Sequence, residues 1–383
     1  MKMFVVGGYV RDLLLDKSPN DSDYVITGSS IQEMELLGLR QVGADFPVFL
    51  HPIHNSELAL ARTERKISSG YLGFECNTND VTLKDDLSRR DFSINALAIE
   101  VSKIDNEGLP LLDANGESID KFSNVIDHFN GIRDLKNKVI RHIGPAFVED
   151  PVRALRACRF AARYNFSIAP ETVNLIRYMY ITKELDSLVP ERIWLEITKA
   201  LSSDNPSEFF KHMYDLGIGK VIHNLYLDTF IKNLSGYSLE QQTVILGLSN
   251  IATGNIDAIA NDIVFDIFEK LKVPNDCQEA TRKFFKIKCL LVNSTPERFM
   301  KIVECLDLTH TRKWLYMLSP IVVDFFPDLH NNWDFVNSLL KIMDIGFDEL
   351  SIKQKTELKG PAIAEAIREL RIKFIINKLE ELK

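Results

Sequence analysis

Two aspartates, Asp21 and Asp23, stand two residues apart at the entry to the β-branched and aromatic run Asp23-Tyr24-Val25-Ile26-Thr27. In a strand, alternate residues face the same side, so this spacing would bring two carboxylates together. Hard anionic oxygens of that kind suit Mg²⁺, although Pro19-Asn20-Asp21-Ser22 also has the composition of a plain polar turn. Earlier in the chain, Gly7-Gly8 ends an apolar run and leads into a helical stretch, Val10 to Leu15. Glycines there let backbone N–H groups approach a phosphate at a helix start, and Arg11 can add a side-chain contact. Further on, the adjacent Arg89-Arg90-Asp91 can bind a triphosphate and hydrogen-bond a ribose hydroxyl. Asp150, Arg153 and Arg156 follow at helical spacing, so acceptor and donor forks share one face. A carboxylate beside a guanidinium meets the needs of a base edge: it accepts from an exocyclic amine and donates to a ring nitrogen or carbonyl. Taken singly, each of these has a structural reading as well: a turn, an exposed helix end, a capping aspartate with an ion pair.

The elements that must position these groups read as an N-terminal α/β part and a long helical remainder. Phe4-Val5-Val6, Asp23–Thr27, Phe46–Leu50, Glu57–Ala61 and Ile94–Val101 have strand character, with helices over Val10–Leu15 and Ile31–Leu37. Lys103 to Asn124 is a polar excursion. From about Lys136 the pattern is helical, with no strand expected after residue 140. Pro145, Pro170 and Pro190 suit helix starts and loops. Pro151 suits a helix N-terminus, with Asp150 at or near the N-cap. The last helix begins at Pro361 after Gly360, and Ile363, Ile367, Leu370, Phe374 and Ile375 recur along it at helical spacing.

Composition narrows the class. At 383 residues and 45% hydrophobic, the chain can bury two or three domain cores, which excludes a disordered or collagen-like protein. No apolar run is long enough to span a bilayer, and Met1 to Leu15 is broken by Gly7-Gly8 and Arg11-Asp12, unlike a signal peptide. Five scattered cysteines form no Cys-x-x-Cys pair, so neither a zinc site nor a disulfide framework is expected, and the compartment expected is the reducing cytoplasm. The net charge of −8 gives no global reason to expect nucleic acid. Locally, however, Ile132 to Arg163 holds eight Lys/Arg against three acids, which suits either a phosphate-bearing ligand or a solvated helix face.

Read together and in order, Gly7-Gly8-Tyr9-Val10-Arg11-Asp12, Asp21-Ser22-Asp23, Arg89-Arg90-Asp91-Phe92-Ser93-Ile94-Asn95-Ala96 and Glu149-Asp150-Pro151-Val152-Arg153 resemble the bacterial class II CCA tRNA nucleotidyltransferases. Those enzymes belong to the DNA polymerase β-like nucleotidyltransferase superfamily. Phe129-Asn130-Gly131-Ile132-Arg133-Asp134-Leu135 is similar to the hinge between head and neck in that family, and Pro190-Glu191-Arg192-Ile193-Trp194-Leu195-Glu196 to its last neck motif. Asp45–Leu50 and Ala59–Lys66 look like the enterobacterial type. The resemblance covers about residues 1–200 closely, and the C-terminal Leu358-Lys359-Gly360-Pro361 more loosely.

The resemblance implies an α+β protein. A polymerase-β-like head over 1–135 would have a mixed sheet with helices, followed by an elongated all-α neck (136–200) and body and tail (201–383) that hold tRNA. It implies template-independent addition or repair of the terminal CCA of tRNA from CTP and ATP, with release of pyrophosphate. Asp21 and Asp23 are then the ligands of catalytic Mg²⁺, Gly8 and Arg11 lie at the nucleotide phosphates, and Arg90 with Asp91 lies near the ribose. Asp150 and Arg153, supported by Arg156, read the base. A mobile loop that helps the switch from C to A is expected at Ser68-Ser69-Gly70-Tyr71-Leu72-Gly73. The enterobacterial type often adds an HD phosphohydrolase domain, but here no histidine is followed by Asp. Leu246-Gly247-Leu248-Ser249-Asn250, whose apolar context suits such a pair, has Ser and Asn instead, so that activity is expected to be absent. The competing readings are a poly(A) polymerase, whose arginine-rich tail this sequence does not show, a CC-only or A-only adding enzyme, and a catalytically dead tRNA-binding protein. The last is disfavoured because the full set of polar residues is present.

Overall fold

The computed structural model describes residues 1–19, 22–42, 47–51, 56–66, 74–101, 103–104, 110–111, 124–229, 231, 233–251, 258–292 and 295–381. These form two compact units, Met1–Asn224 and Leu225–Lys383.

The first unit opens with β1 (Lys2–Val6), α1 (Gly8–Leu14), β2 (Asp23–Thr27), α2 (Ile31–Leu36), β3 (Arg40–Val42), β4 (Val48–Leu50) and β5 (Glu57–Leu60). A hairpin of β6 (Thr63–Lys66) and β7 (Phe74–Asn77) leads to α3 (Leu83–Ser88), then β8 (Leu97–Val101), β9 (Lys103–Ile104), β10 (Pro110–Leu111) and β11 (Val125–Asp127). Seven strands make one mixed sheet in the order β11-β8-β1-β2-β5-β4-β3. Within it β2 runs parallel to β5 and its other pairings are antiparallel. This is the α+β head that the sequence leads one to expect.

Position in the sheet explains composition. β1 is central, so Phe4, Val5 and Val6 are all buried rather than alternating. On one face Phe4, Val6, Val25, Ala96 and Ala98 pack with Leu83 and Leu87 of α3. The two short helices are fixed at their starts by capping boxes, Ser30 with Glu33 and Thr82 with Asp85.

Helices then take over: α4 (Gly131–Asn137), β12 (Val139–Ile140), α5 (Val152–Tyr164), β13 (Ser167–Ile168), α6 (Pro170–Ile181), α7 (Pro190–Leu201) and α8 (Pro206–Asp215). Pro170, Pro190 and Pro206 each open a helix, where a missing N–H costs nothing. α5 packs on α7 and α8 with ten of its residues buried, Ala154, Leu155, Ala157 and Cys158 among them.

Two expectations change. Residues Ser93–Asn95 form a 3₁₀ turn, so the strand expected from Ile94 begins only at Leu97. And β13, a two-residue strand paired in parallel with β12, lies beyond residue 140, where none was expected. Two residues carry too little pattern to be read as a strand.

The second unit is helical: α9 (Leu239–Ser249), α10 (Ala258–Lys270), α11 (Asn275–Leu291), α12 (Pro296–Cys305), α13 (Lys313–Phe325), α14 (His330–Ser338), α15 (Ile352–Glu357) and α16 (Pro361–Glu381). α9 and α11 meet closely at Gly247, where an added Cβ would lie 3.1 Å from Thr281 Cγ2 and 3.2 Å from the Phe285 ring. Ser249 and Asn250, at the end of α9, are spent on backbone. Asn250 Nδ2 donates to the carbonyls of Tyr226 and Leu246, its Oδ1 accepts from Tyr226 N, and Ser249 Oγ donates to the Ile245 carbonyl. In α16, Ile375 is buried, but Ile363, Ile367, Leu370 and Phe374 are only half-buried, so the apolar stripe read from the sequence is covered in part.

Candidate active site

Gly7 separates β1 from α1 and adopts φ +71°, a conformation that side chains rarely take. Space is a second constraint. A Cβ at Gly7 would lie 2.8 Å from Arg90 Nη1, and one at Gly8 would lie 3.4 Å from Arg11 Nη2. The glycine pair therefore admits two guanidinium groups to the same turn, from residues 79 apart in sequence (90 − 11). Val6, just before the turn, pairs across the sheet with Asp23, which opens β2 with its side chain exposed. Asp23 and Arg90 also attract one another electrostatically.

Among the described residues, none donates a hydrogen bond to the Asp23 carboxylate. A solvent-facing hard oxygen donor of this kind fits a divalent cation. Asp21, the expected second ligand, lies outside the described residues, as does the loop Ser68–Gly73. Among the described residues no cluster of three or more His, Cys, Asp or Glu gathers at metal-binding distance.

Arg11 is 5% exposed. Its Nε and Nη2 donate to the two oxygens of Asp12 at 2.9 and 3.0 Å, and its Nη1 donates to Asn95 Oδ1 at 2.6 Å. Its guanidinium carbon lies 5.2 Å from the Phe160 ring centre and 4.9 Å from that of Tyr164. The Tyr164 hydroxyl donates to Asp12. So Arg11 is a sealed, oriented group whose Nη2 faces Gly8, rather than a flexible surface cation.

Arg90 is held by Asp86, at 3.5 Å, and its Nε has no hydrogen-bond partner; neither does Asp86 Oδ2. A buried guanidinium nitrogen left unmatched is a costly feature, of the kind found where a ligand completes the site. Burial pulls Arg90 below the ordinary arginine value against the opposing pull of Asp86 and Asp23. Asp91, which attracts Arg90 electrostatically, accepts its hydrogen bonds from other groups: Arg156 Nε at 2.7 Å, Asn95 Nδ2 at 2.9 Å and Phe92 N at 2.8 Å.

The three residues expected to read the base, Asp150, Arg153 and Arg156, are each held by other groups of the protein. Asp150 is gripped by a parallel fork from α7, Arg192 Nη1 to Oδ1 and Nη2 to Oδ2, both 2.9 Å. Arg153 donates to two main-chain carbonyls, Ala146 at 3.0 Å and Arg89 at 2.6 Å, and so ties α5 to the arginine motif. Arg159, deeper in α5, pairs with Glu196 of α7 at 2.5 Å, both nearly fully buried. The basic window 132–163 is thus divided: Arg141, Arg153, Arg156 and Arg159 each point at an internal acceptor, whereas Arg133, Lys136, Lys138 and Arg163 are exposed.

Sequence reasoning gave no role to Asn95, Asp12, Tyr164, Asp86 or Arg192. Asn95, Asp12 and Arg192 lay inside motifs already noted, but the sequence did not show Arg192's partner, 42 residues away. Tyr164 carried no local signal, because its partner is 152 residues away.

Burial alone would raise the carboxyls of Asp12, Asp86 and Asp91, but facing guanidinium groups hold all three below the ordinary 3.8: Arg11 with Tyr164's hydroxyl, Arg89 with Arg90, and Arg156 with Asn95 respectively. A depressed carboxyl contributes stability that is complete above its unfolded value and is lost as pH falls through its folded one. Melting temperature should therefore be level above about pH 4 and fall steeply below it, with Asp91→Asn flattening that acid limb. Calorimetry from pH 2 to 7 checks this; parallel curves for the two proteins would refute it.

Two family models, a curated relative and several solved structures are similar to this chain. Residues 3–141 match the family described as "Poly A polymerase head domain", and residues 165–226 match "Probable RNA and SrmB- binding site of polymerase A". The chain is similar to the "Multifunctional CCA protein" of Xanthomonas campestris pv. campestris (strain B100), 49% identical over 226 residues, 58% of this chain and 50% of that protein. It thus spans about half the length of the curated relatives it matches. Its fold is similar to that of the Bacillus stearothermophilus CCA-adding enzyme in complex with CTP, with TM-score 0.67 and 19% identity over 98% of this chain and 89% of that one. It is also similar to a CCA-adding enzyme solved with ATP, with TM-score 0.63 and 22% identity over 100% and 89%.

Proposed function

We propose, on the premise that the chain belongs to the nucleotidyltransferase family of poly A polymerase heads and CCA-adding enzymes, that it adds or repairs the CCA end of tRNA from CTP and ATP. The observation that supports this best is the glycine turn: Arg11 and Arg90 meet Gly8 and Gly7, beside the solvent-facing Asp23. A phosphate cradle next to an acidic metal donor is the minimum equipment for phosphoryl transfer. Working as a soluble cytoplasmic enzyme is the setting that goes with this reading. Among the described residues no helix is long and apolar enough to cross a membrane.

Enzymes of this family generally use divalent metal ions, and we take Mg²⁺ to be held by Asp21 and Asp23. When bound, the metal supplies Lewis-acid polarisation of the α-phosphate and favours the alkoxide form of the RNA 3′-hydroxyl. The chain's residues do the rest. Gly8 and Arg11 seat the phosphates, Arg90 stands near the ribose, and Asp12 and Asn95 hold Arg11 in place. The RNA 3′-oxygen bonds to the α-phosphorus, the bond to the bridging oxygen of pyrophosphate breaks, and no covalent protein intermediate forms.

Base choice falls to Asp150 and Arg153, with Arg156 in support. The exocyclic amine of C or A donates to Asp150, and Arg153 donates to the ring acceptor. U and G present the opposite polarity there and leave polar groups unpaired. Arg192 keeps the plane of the Asp150 carboxylate fixed, so its lone pairs face one way. The head (1–135), neck (136–200) and tRNA-holding body and tail (201–383) are the partition we assign to these tasks, with the RNA gripped by shape and phosphates more than by sequence.

The test is to offer the protein Mg²⁺, labelled CTP or ATP, and either tRNA lacking its end or an unstructured RNA of equal length. Labelling of the tRNA alone supports the reading. Equal A-labelling of both RNAs points to a poly(A) polymerase, and binding without labelling points to a catalytically dead RNA binder. The loop Ser68–Gly73 is proposed to assist the change from C to A, so proline at Gly70 and Gly73 should depress A addition more than C addition; equal losses would count against that role.

A further inference from the structure

Resting on the function proposed above, we infer that Tyr164 is a positioning residue of the nucleotide site, closing a buried polar circuit that leaves α5 at Arg156 and returns to it at Tyr164. The links run as a ring. Arg156 Nε donates to Asp91 Oδ2 at 2.7 Å. Asn95 Nδ2 donates to Asp91 Oδ1 at 2.9 Å, and Asn95 Oδ1 accepts from Arg11 Nη1 at 2.6 Å. Arg11 binds both oxygens of Asp12, and the Tyr164 hydroxyl donates to Asp12 Oδ1 at 2.8 Å. Arg11, Asp12, Asp91 and Asn95 are each under a tenth exposed.

The geometry gives the ring a purpose that simple packing does not require. Arg156 and Tyr164 are eight residues apart on one helix, about 12 Å along its axis. One rigid rod therefore holds both ends of a chain of hydrogen bonds whose middle, Arg11, presents Nη2 to Gly8. The N-terminal end of that rod adjoins Asp150 and carries Arg153, the proposed base readers. A base that seats well there and a phosphate that seats well at Gly8 thus act on the same connected network. Burial in a low-dielectric setting strengthens each link and makes a missing one costly.

Tyr164 is well chosen for the closing role. Burial and the Asp12 contact push its hydroxyl up to about 12, so it stays a neutral donor across the working pH range. The groups facing Asp12 are Arg11, Tyr164 and, at 4.0 Å, Arg163; Lys17 lies 5.2 Å from the Tyr164 ring centre. The ring stacks beside that of Phe160, with 6.1 Å between their centres, and the Arg11 guanidinium sits against both. Phenylalanine at this position keeps the ring and removes only the closing hydrogen bond.

A double-mutant cycle tests the inference. CTP and ATP affinity, and kcat and KM for addition, are measured for the wild type, Tyr164→Phe, Arg156→Gln and the double variant. Each single change should lower kcat/KM about ten- to 150-fold, the scale of one hydrogen bond to a charged group. The double variant should be no worse than the poorer single one, because either cut opens the same ring. Groups this far apart with no shared network multiply within about twofold. A double loss equal to the product of the single losses would overturn the circuit, even if Tyr164→Phe also lowered the melting temperature. If Arg156→Gln does not fold, Asn95→Ser cuts the ring at another link and replaces it in the cycle. A wild type that binds CTP yet extends no tRNA would defeat the proposed function but not the circuit, which the affinities alone still judge.

Discussion

Asp23→Ala should abolish nucleotide transfer while leaving tRNA affinity within about twofold. The expected fall in kcat is on the order of 10³-fold or more, because on the proposed reading Asp23 would hold a metal ion whose charge stabilisation supplies several kcal/mol. The fold should not suffer. Asp23 is exposed, sits at the first position of β2, and keeps its backbone pairing with Val6 whatever its side chain; exposed substitutions of this kind usually stay within about 0.5 kcal/mol. Arg90 would lose one of the carboxylates that offset its burial. Single-turnover transfer assays, paired with tRNA binding by filter retention, separate the two effects. Transfer at the wild-type rate would remove Asp23 from the catalytic centre.

Asp150→Ala and Arg153→Ala should preserve transfer but blur base choice. Sites that hydrogen-bond their substrate reject mismatched analogues by as much as about 10⁴–10⁵, since wrong polarity strands buried groups. Losing one reader should cost about 10²–10³ of that in the ratios of kcat/KM for CTP over UTP and for ATP over GTP. The two variants should differ in stability. Arg153→Ala strips the carbonyls of Ala146 and Arg89 of their donor, which costs about 1–3 kcal/mol for groups kept from water. Asp150→Ala instead leaves the Arg192 fork without its carboxylate at a half-buried site. Competition assays with mixed triphosphates measure the ratios, and undiminished fidelity in both variants would refute the reader role.

How far the sequence could be read depends on how local each cause is. The strand Asp23–Thr27 and the helices opening at Pro170, Pro190 and Pro361 were legible because β-branched runs and a proline at the first helical position act within a few residues. The Gly7 turn was legible as a glycine pair, but not that its missing Cβ makes room for Arg90, 83 positions on (90 − 7). The arginines of α5 show the limit most clearly. Their periodic spacing says only that they share a helix. Whether that helix faces water or a buried Asp91 and Glu196 is decided by the packing of α5 on α7 and α8 and by its contacts with the arginine motif. The 3₁₀ turn at Ser93–Asn95 was hidden for a similar reason: the Ser93 hydroxyl bonds Asp134 and its N–H bonds the Arg141 carbonyl, and these distant partners bend a segment whose apolar residues read as strand.

The central claim is that a pairing partner made of protein, with no nucleic-acid template, dictates which nucleotide is joined. The most direct measurement is to give the wild-type protein a tRNA ending before its CCA, with all four nucleoside triphosphates and Mg²⁺ present together, and to sequence the extended 3′ ends. The account predicts C, C, A in that order, followed by a stop, with U and G essentially absent. Runs of A, mixed bases or unextended ends would contradict it.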